Sequence, residues 1–247
     1  MATLTPNSGP AAGGNSVVIT GNNFNGATSV KFGNKSATFT VDSNTQITAT
    51  APSGNGVVGV SVITPGGTTT PVNYFYVPQP IKTSLSNTSG PLTGATTTIS
   101  GANLGSSPSV TFGTLGTGTV TGSTSSSINV TAPTAPAGTG TVPITVTTSG
   151  GSTNGLFFTF VDPPTSTAID VTSGPESGGT ASTITGTGFS DTTGVTYGTT
   201  SAGYLVLDDS HIVTYSPGGT GTVDINVITP GGPDPTPPSF TYTPPPA

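Results

Sequence analysis

The chain has 247 residues with three Lys, no Arg, nine acidic residues and one His, so charged side chains make up only 5% of it and the formal charge is −6. Three scattered Lys cannot neutralise a run of phosphates, which excludes nucleic acid as a partner. The absence of Cys removes disulfides and thiolate metal sites, and no apolar window approaches the ~20 residues that a membrane span requires.

Read in order, the first strand signals are short alternating runs at 16–20, 29–32, 37–41, 46–50, 57–63 and 72–77, each bounded by Gly, Pro, Asn or Ser. Period-two alternation is what a half-buried strand needs, because successive side chains point to opposite faces. No segment carries a helical period of useful length. Asn25-Gly26 and Asn55-Gly56 supply turn chemistry, and Asn55-Gly56 is placed to join two strands in a hairpin.

The same text then returns. Ser8-Gly9-Pro10, a small-residue turn with Gly13 and Gly14, Ile19, Gly21, Phe24, Val30, Phe32 and Gly33 reappear from Ser89-Gly90-Pro91 through Ile99, Gly101, Leu104, Val110, Phe112 and Gly113. They reappear again from Ser173-Gly174-Pro175 through Ile184, Gly186, Phe189, Val195, Tyr197 and Gly198. The later half repeats as well: Ala51-Pro52, Val60, Val62 and Thr64-Pro65-Gly66-Gly67 match Ala132-Pro133, Ile144, Val146 and Thr148-Ser149-Gly150-Gly151, then Ser216-Pro217, Ile225, Val227 and Thr229-Pro230-Gly231-Gly232. Each copy closes on an aromatic strand, Tyr74-Phe75-Tyr76, Phe158-Thr159-Phe160 or Phe240-Thr241-Tyr242. Spacings of 81 and 84 residues between Pro10, Pro91 and Pro175 mean three copies of one domain rather than a short-period solenoid. The predicted domains are 1–79, 80–162 and 163–247. Pro78-Gln79-Pro80 and Asp162-Pro163-Pro164 read as stiff linkers, so three sandwiches in line would form a rod on the order of 100–120 Å.

This order of motifs resembles the IPT/TIG family of immunoglobulin-like domains, three times over. The resemblance implies an all-β fold of three tandem immunoglobulin-like antiparallel β-sandwiches of E-set type. The second copy departs by one missing turn residue and by Ser149 in place of Pro65, and the third by Tyr197 in place of Phe32.

Charge is unevenly placed. Lys31 and Lys35 against Asp42 leave the first copy at +1, and Lys82 leaves the second at +1. Asp162 lies between copies, and Asp170, Glu176, Asp191, Asp208, Asp209, Asp224 and Asp234 put the third at −7. Asp208 and Asp209 with Asp191 invite a Ca²⁺ reading, but no known ligand spacing is present and solvated loop carboxylates are the better account. His211 follows Asp208-Asp209-Ser210 directly, whereas a catalytic triad converges from separate parts of a fold; it reads as a strand-edge histidine. Gly54-Asn55-Gly56-Val57-Val58-Gly59 fits the dinucleotide glycine spacing but opens a strand, not a helix. The sequons at Asn34, Asn87 and Asn129 read as chance in a Ser/Thr-rich chain. Most aromatics sit at core positions; Tyr204 and Tyr215, in the third copy, are the candidates for a sugar platform.

No catalytic, cofactor-binding or metal-ligating residue is therefore expected, and the chain reads as non-enzymatic. The expected role is structural and adhesive: a semi-rigid accessory of a phage virion (capsid decoration, tail or fibre) or of a bacterial surface, with protein scaffold partners. Carbohydrate binding to cell-surface glycans and self-assembly into a filament through strand edges are the alternatives. Residues 1–6 carry no signal-peptide pattern, which favours a virion protein released by lysis over a secreted one.

Overall fold

The computed structural model describes residues 2–105 and 107–246; Met1, Ser106 and Ala247 lie outside the described residues. No helix occurs among the described residues. The chain divides into two compact units, one of Met1–Ser86, Thr98–Val130 and Pro143–Leu156, the other of Asn87–Thr97, Thr131–Val142 and Phe157–Ala247.

The first unit contains the whole first copy: β1 (Thr3–Thr5), β2 (Ser8–Pro10), β3 (Ser16–Thr20), β4 (Ser29–Phe32), β5 (Lys35–Ser43), β6 (Gln46–Thr50), β7 (Val57–Thr64), β8 (Gly67–Thr68) and β9 (Val72–Val77). Hydrogen bonding follows the path β1-β3-β6-β5-β4-β7-β9-β2. The two layers of the sandwich are joined through β5, which pairs with β4 over Lys35, Ser36 and Ala37 and with β6 from Thr38 onward. Alternation does the sorting. Val17, Ile19, Val30, Phe32, Ile47, Ala49, Val60, Val62, Tyr74 and Tyr76 face inward and pack with Leu4 and Phe24 into one core. Burying a side chain of this size contributes roughly 1.5–3 kcal/mol, so a core this thin can still hold a domain of ~80 residues.

Three strands escape sequence reading because two or three residues show no period: β1, β2 and β8. Of these β2 gives the Ser-Gly-Pro motif its purpose. It adds one parallel pair to an otherwise antiparallel sandwich, aligning Ser8, Gly9 and Pro10 with Phe75, Tyr76 and Val77. Gly9 lies so close to the Tyr74 hydroxyl and the Asn15 amide that a side chain has no room. The Asn55-Gly56 hairpin does not form. Both edges of β6 are taken by β3 and β5, so the chain crosses to the other layer and β7 pairs with β4 and β9.

The middle copy contributes β10 (Ile81–Leu85), β11 (Ser89–Pro91), β12 (Thr96–Ala102), β13 (Ser109–Phe112), β14 (Thr119–Ser123), β15 (Ser127–Thr131), β16 (Gly140–Thr148) and β17 (Gly151–Val161). They form two four-stranded sheets, β10-β12-β15-β14 and β11-β17-β16-β13. In the first unit β10 pairs antiparallel with β12 and β13 with β16; in the second, β11 runs parallel to β17, aligning Gly90 with Phe160. Also in the first unit, the linker residue Gln79 is tied to this copy: its amide donates to the Ser152 carbonyl (2.6 Å), and its carbonyl accepts from Asn103 Nδ2 (3.1 Å). Gly150 leaves room for the Pro78 carbonyl.

The third copy lies wholly in the second unit: β18 (Thr165–Ile169), β19 (Ser173–Pro175), β20 (Ala181–Thr187), β21 (Gly194–Tyr197), β22 (Thr200–Ser201), β23 (Gly203–Asp208), β24 (His211–Tyr215), β25 (Thr222–Thr229), β26 (Gly232–Pro233) and β27 (Ser239–Thr243). Its sheets are β18-β20-β24-β23 and β19-β27-β25-β21-β22. Gly231 leaves room for the Asp162 carbonyl, while the Asp162 carboxylate accepts the Gly138 N–H at 3.1 Å, so the second linker is gripped on both sides. The buried Asp234 accepts the Ser166 N–H (2.7 Å) and the Thr236 N–H (2.9 Å), anchoring the proline-rich approach to β27.

Two tyrosines distinguish this core. Tyr242 donates to the Pro217 carbonyl (2.8 Å), repeating the bond from Tyr76 to Pro52 (2.7 Å). The Tyr197 hydroxyl is buried with no partner of hydrogen-bonding geometry, although Ser182 and Thr214 stand near enough to offset part of the rise that burial causes in its pKa. The equivalent residues are Phe32 and Phe112. In urea denaturation of the full chain, Tyr242→Phe should lower the stability of the third copy by about 1 kcal/mol, and Tyr197→Phe should raise it by about as much, because the first change removes a bond and the second an orphaned group.

Lys82 sets a pH dependence in the middle copy. Its ammonium donates to the Ile144 carbonyl, and burial lowers its pKa from 10.5 to about 8. Between those values the unfolded chain holds a proton that the folded chain has lost, so stability rises as pH rises through that window. Burial raises the pKa of Tyr74, Tyr76, Tyr197 and Tyr242 above 10, and their folded forms hold protons that the unfolded forms release, so stability falls beyond that point. The thermal midpoint of the middle copy's transition should climb from about pH 8 to about pH 10, and Lys82→Met should abolish the climb.

Candidate functional site

The residues singled out in the sequence are dispersed. Asn34 is exposed in the turn between β4 and β5; Asn87 donates its amide to the Thr96 carbonyl; Asn129 sits mid-strand with its oxygen accepting from Thr98 Oγ1 at 2.9 Å. Gly54 gives space to the Tyr76 ring and precedes β7, so it serves packing.

The acidic residues near His211 are engaged by the protein itself. Asp208 accepts the Ser210 N–H (2.7 Å) and the His211 Nδ1 (2.9 Å), and these bonds, the backbone one first, hold its carboxyl below the usual range. Asp209 accepts from Ser190 Oγ (2.8 Å), the Ser190 N–H and the Gly188 N–H, with the same downward effect. Each carboxylate closes its own loop. Among the described residues no group of three or more His, Cys, Asp or Glu could hold a metal ion.

Tyr204 and Tyr215 do not form one platform. Tyr204 stands opposite Thr214, and Tyr215 is the next residue of the same strand, so the two rings leave opposite faces of the sheet. Tyr204 shares its face with the core-packed Val206 and donates to the Thr192 carbonyl (3.3 Å). Tyr215 faces outward with 52% of its surface exposed.

What shares the face of Tyr215 was missed. Leu205, opposite Val213, and Leu207, in the bulge between Val206 and Asp208, point outward at 60% and 56% exposure. The first copy supplies the contrast at identical register. Thr40 and Thr48 stand where Leu205 and Val213 stand, Thr50 where Tyr215 stands, and Asp42 where Leu207 stands. In that copy Asp42 accepts a 2.7 Å hydrogen bond from Thr48. In the second copy Thr119, Thr121, Asn129 and Thr131 occupy the outward positions of β14 and β15. One sheet face of the third copy has thus exchanged hydroxyls and a carboxylate for Leu205, Leu207, Val213 and Tyr215, with Asp208 and His211 at its end. A position-by-position comparison of the copies would have revealed this in the sequence: the run Tyr204-Leu205-Val206-Leu207 breaks an alternation that Phe39-Thr40-Val41-Asp42 keeps.

Such a face can bind by contact, and its carboxylate, Asp208, is already engaged by His211 and the Ser210 N–H. No helix among the described residues is long and apolar enough to cross a membrane.

No curated protein sequence matches the chain. Among solved structures, the Plexin A4 extracellular region aligns over 99% of this chain and 24% of its own, at 21% identity and a TM-score of 0.45. The surface glycan-binding protein SGBP-B of Bacteroides uniformis aligns over 92% of this chain and 65% of its own, at 20% identity and 0.32. The Escherichia coli adhesin FdeC aligns over 98% and 96%, at 15% identity and 0.34. The chain therefore spans about a quarter of the Plexin A4 structure, and similarity at these levels bears on neither activity nor partner. The family model for the IPT/TIG domain matches residues 1–76, 80–160 and 164–242, and the chain belongs to the IPT/TIG family as three tandem copies.

Proposed function

We propose that the chain is a non-enzymatic structural and adhesive protein, a semi-rigid tandem with functional domains at 1–79, 80–162 and 163–247, attached to a phage virion or a bacterial surface. The observation that carries this reading is the single remodelled face of the third copy. Exposed Leu side chains on the solvent side of a strand add nothing to the core, and their concentration on one of three otherwise hydroxyl-lined faces marks a contact surface. The bonds from Gln79 and Asp162 to neighbouring copies support stiffness at the linkers. Mass spectrometry of purified virions and of cell-surface fractions from the native source should find the protein in one of them, with attachment weakened by Leu205→Thr; absence from both overturns the reading.

A second reading, a carbohydrate-binding module, draws on Tyr215 alone, an exposed ring opposite Ala181 on the outward face that Thr183 also shares. Titration calorimetry against soluble β-glucans should then show binding that Tyr215→Ala abolishes and Tyr204→Ala leaves intact.

A further inference from the structure

We infer that the chain associates with copies of itself heterologously, the apolar face of the third copy in one molecule docking on an outward face of the first copy in the next. The inference rests on the reading of the third-copy face as a contact surface and names its occupant as a second copy of this chain.

The first copy carries a matching departure on its other sheet. Val57 of β7 pairs with Phe75 of β9, and both point outward at 56% and 42% exposure. At the same register the second copy has Thr141 and Thr159, and the third Thr222 and Thr241, each pair joined by a hydroxyl hydrogen bond of 2.8 or 2.9 Å. A hydrogen-bonded Thr pair suits a solvated cross-strand position. An exposed Val–Phe pair suits a covered one. The first and third copies have each lost threonines from one face, and the two faces lie on different sheets of the sandwich.

Charge selects which faces meet. Lys31, opposite Ser61, lies on the outward side of β4 and β7, about 13 Å along β7 from Val57. The third-copy face ends in Asp208, about 10 Å along β23 from Leu205. Asp170 accepts the Thr183 N–H (2.6 Å) beside Val213, bordering the same face with a second carboxylate. Two third-copy faces would bring Asp170 and Asp208 against their own kind, each within a copy of net charge −7, whereas the first copy is at +1. Like-charge juxtaposition opposes self-pairing of the third copy, and opposite charge favours pairing of third with first. A contact between two different faces leaves one of each free after every step, so it propagates instead of closing as a dimer.

Sedimentation velocity on the full chain, from about 10 μM to about 1 mM at low salt, tests this. The mean mass should rise past the dimer with concentration and fall back in about 0.5 M salt. Leu205→Thr and Phe75→Thr install the residue already present in a sister copy, so both should fold, and each should weaken association by roughly tenfold or more. An equimolar mixture of the two variants should form dimers and stop, because each supplies one intact face. Phe157→Ser, which removes a ring of 57% exposure outside both faces, should change nothing. A monomer at every concentration overturns the inference. So does association that ignores Phe75→Thr, which would mean that third-copy faces pair with one another. A monomeric chain whose attachment to native particles still depends on Leu205 would sink self-association while leaving the contact-surface reading in place.

Discussion

With one residue in twenty charged, everything in this protein depends on alternation along its strands. Most strands send Val, Ile, Phe or Tyr inward and Thr or Ser outward, and the outward hydroxyls must supply the solvation that Lys and Glu supply elsewhere. Cross-strand Thr pairs meet that need at little cost, since β-branched side chains suit the pleat and their hydroxyls bond one another or the backbone. Thr141 with Thr159 and Thr222 with Thr241 show the arrangement directly. The same economy makes any outward apolar residue conspicuous, because no long charged side chain is near to cover it.

Triplication lets the chain serve as its own control. Tyr74 in the first copy exchanges hydrogen bonds with Asn15 (2.9 and 3.0 Å). Where the second copy has Phe158 the partner position holds Ala95, and where the third has Phe240 it holds Thr180. A hydroxyl and its amide thus come and go together, as expected if an unpaired buried polar group costs more than the pair contributes. Tyr197 is the exception that has kept its hydroxyl without a full partner. Aromatic edge packing is retained through these exchanges, with ring centroids 5.1 Å apart for Phe32 and Tyr74 and 5.2 Å for Tyr197 and Phe240.

The longer strands were legible because four or more alternating residues leave little freedom of register. Their runs at 16–20, 29–32, 46–50 and 72–77 coincide with β3, β4, β6 and β9. The three-residue strand at Ser8–Pro10 was not, since its parallel partner lies 67 residues away and nothing local announces the pairing. Asn55-Gly56 misled for a related reason: turn chemistry gives a turn, but whether the flanking strands pair depends on edges already occupied by β3 and β5. The face bearing Leu205 was hidden differently. Pooling Tyr204 with Tyr215 follows composition, whereas adjacency in the ladder to Thr214 puts the two rings on opposite sides. Residue type suggested a platform, and parity dissolved it.

Parity also explains why the third copy tolerates its outward leucines. Exchanging Thr for Leu at an outward position leaves the inward set of β23 and β24 untouched, so Val206, Ile212 and the rest of the core keep their packing. The fold imposes no penalty on such a change, and the cost falls on solubility, where a flat apolar face on the edge strand of a sheet invites pairing. Carboxylates limit that cost. Asp170 and Asp208 stand at the borders of the face, each held charged by backbone N–H groups, that of Thr183 for Asp170 and that of Ser210 for Asp208. An apolar centre with a charged border repels its own kind and admits a partner of opposite sign. In a chain with three cations, that partner is narrowly defined, and two of the three belong to the first copy.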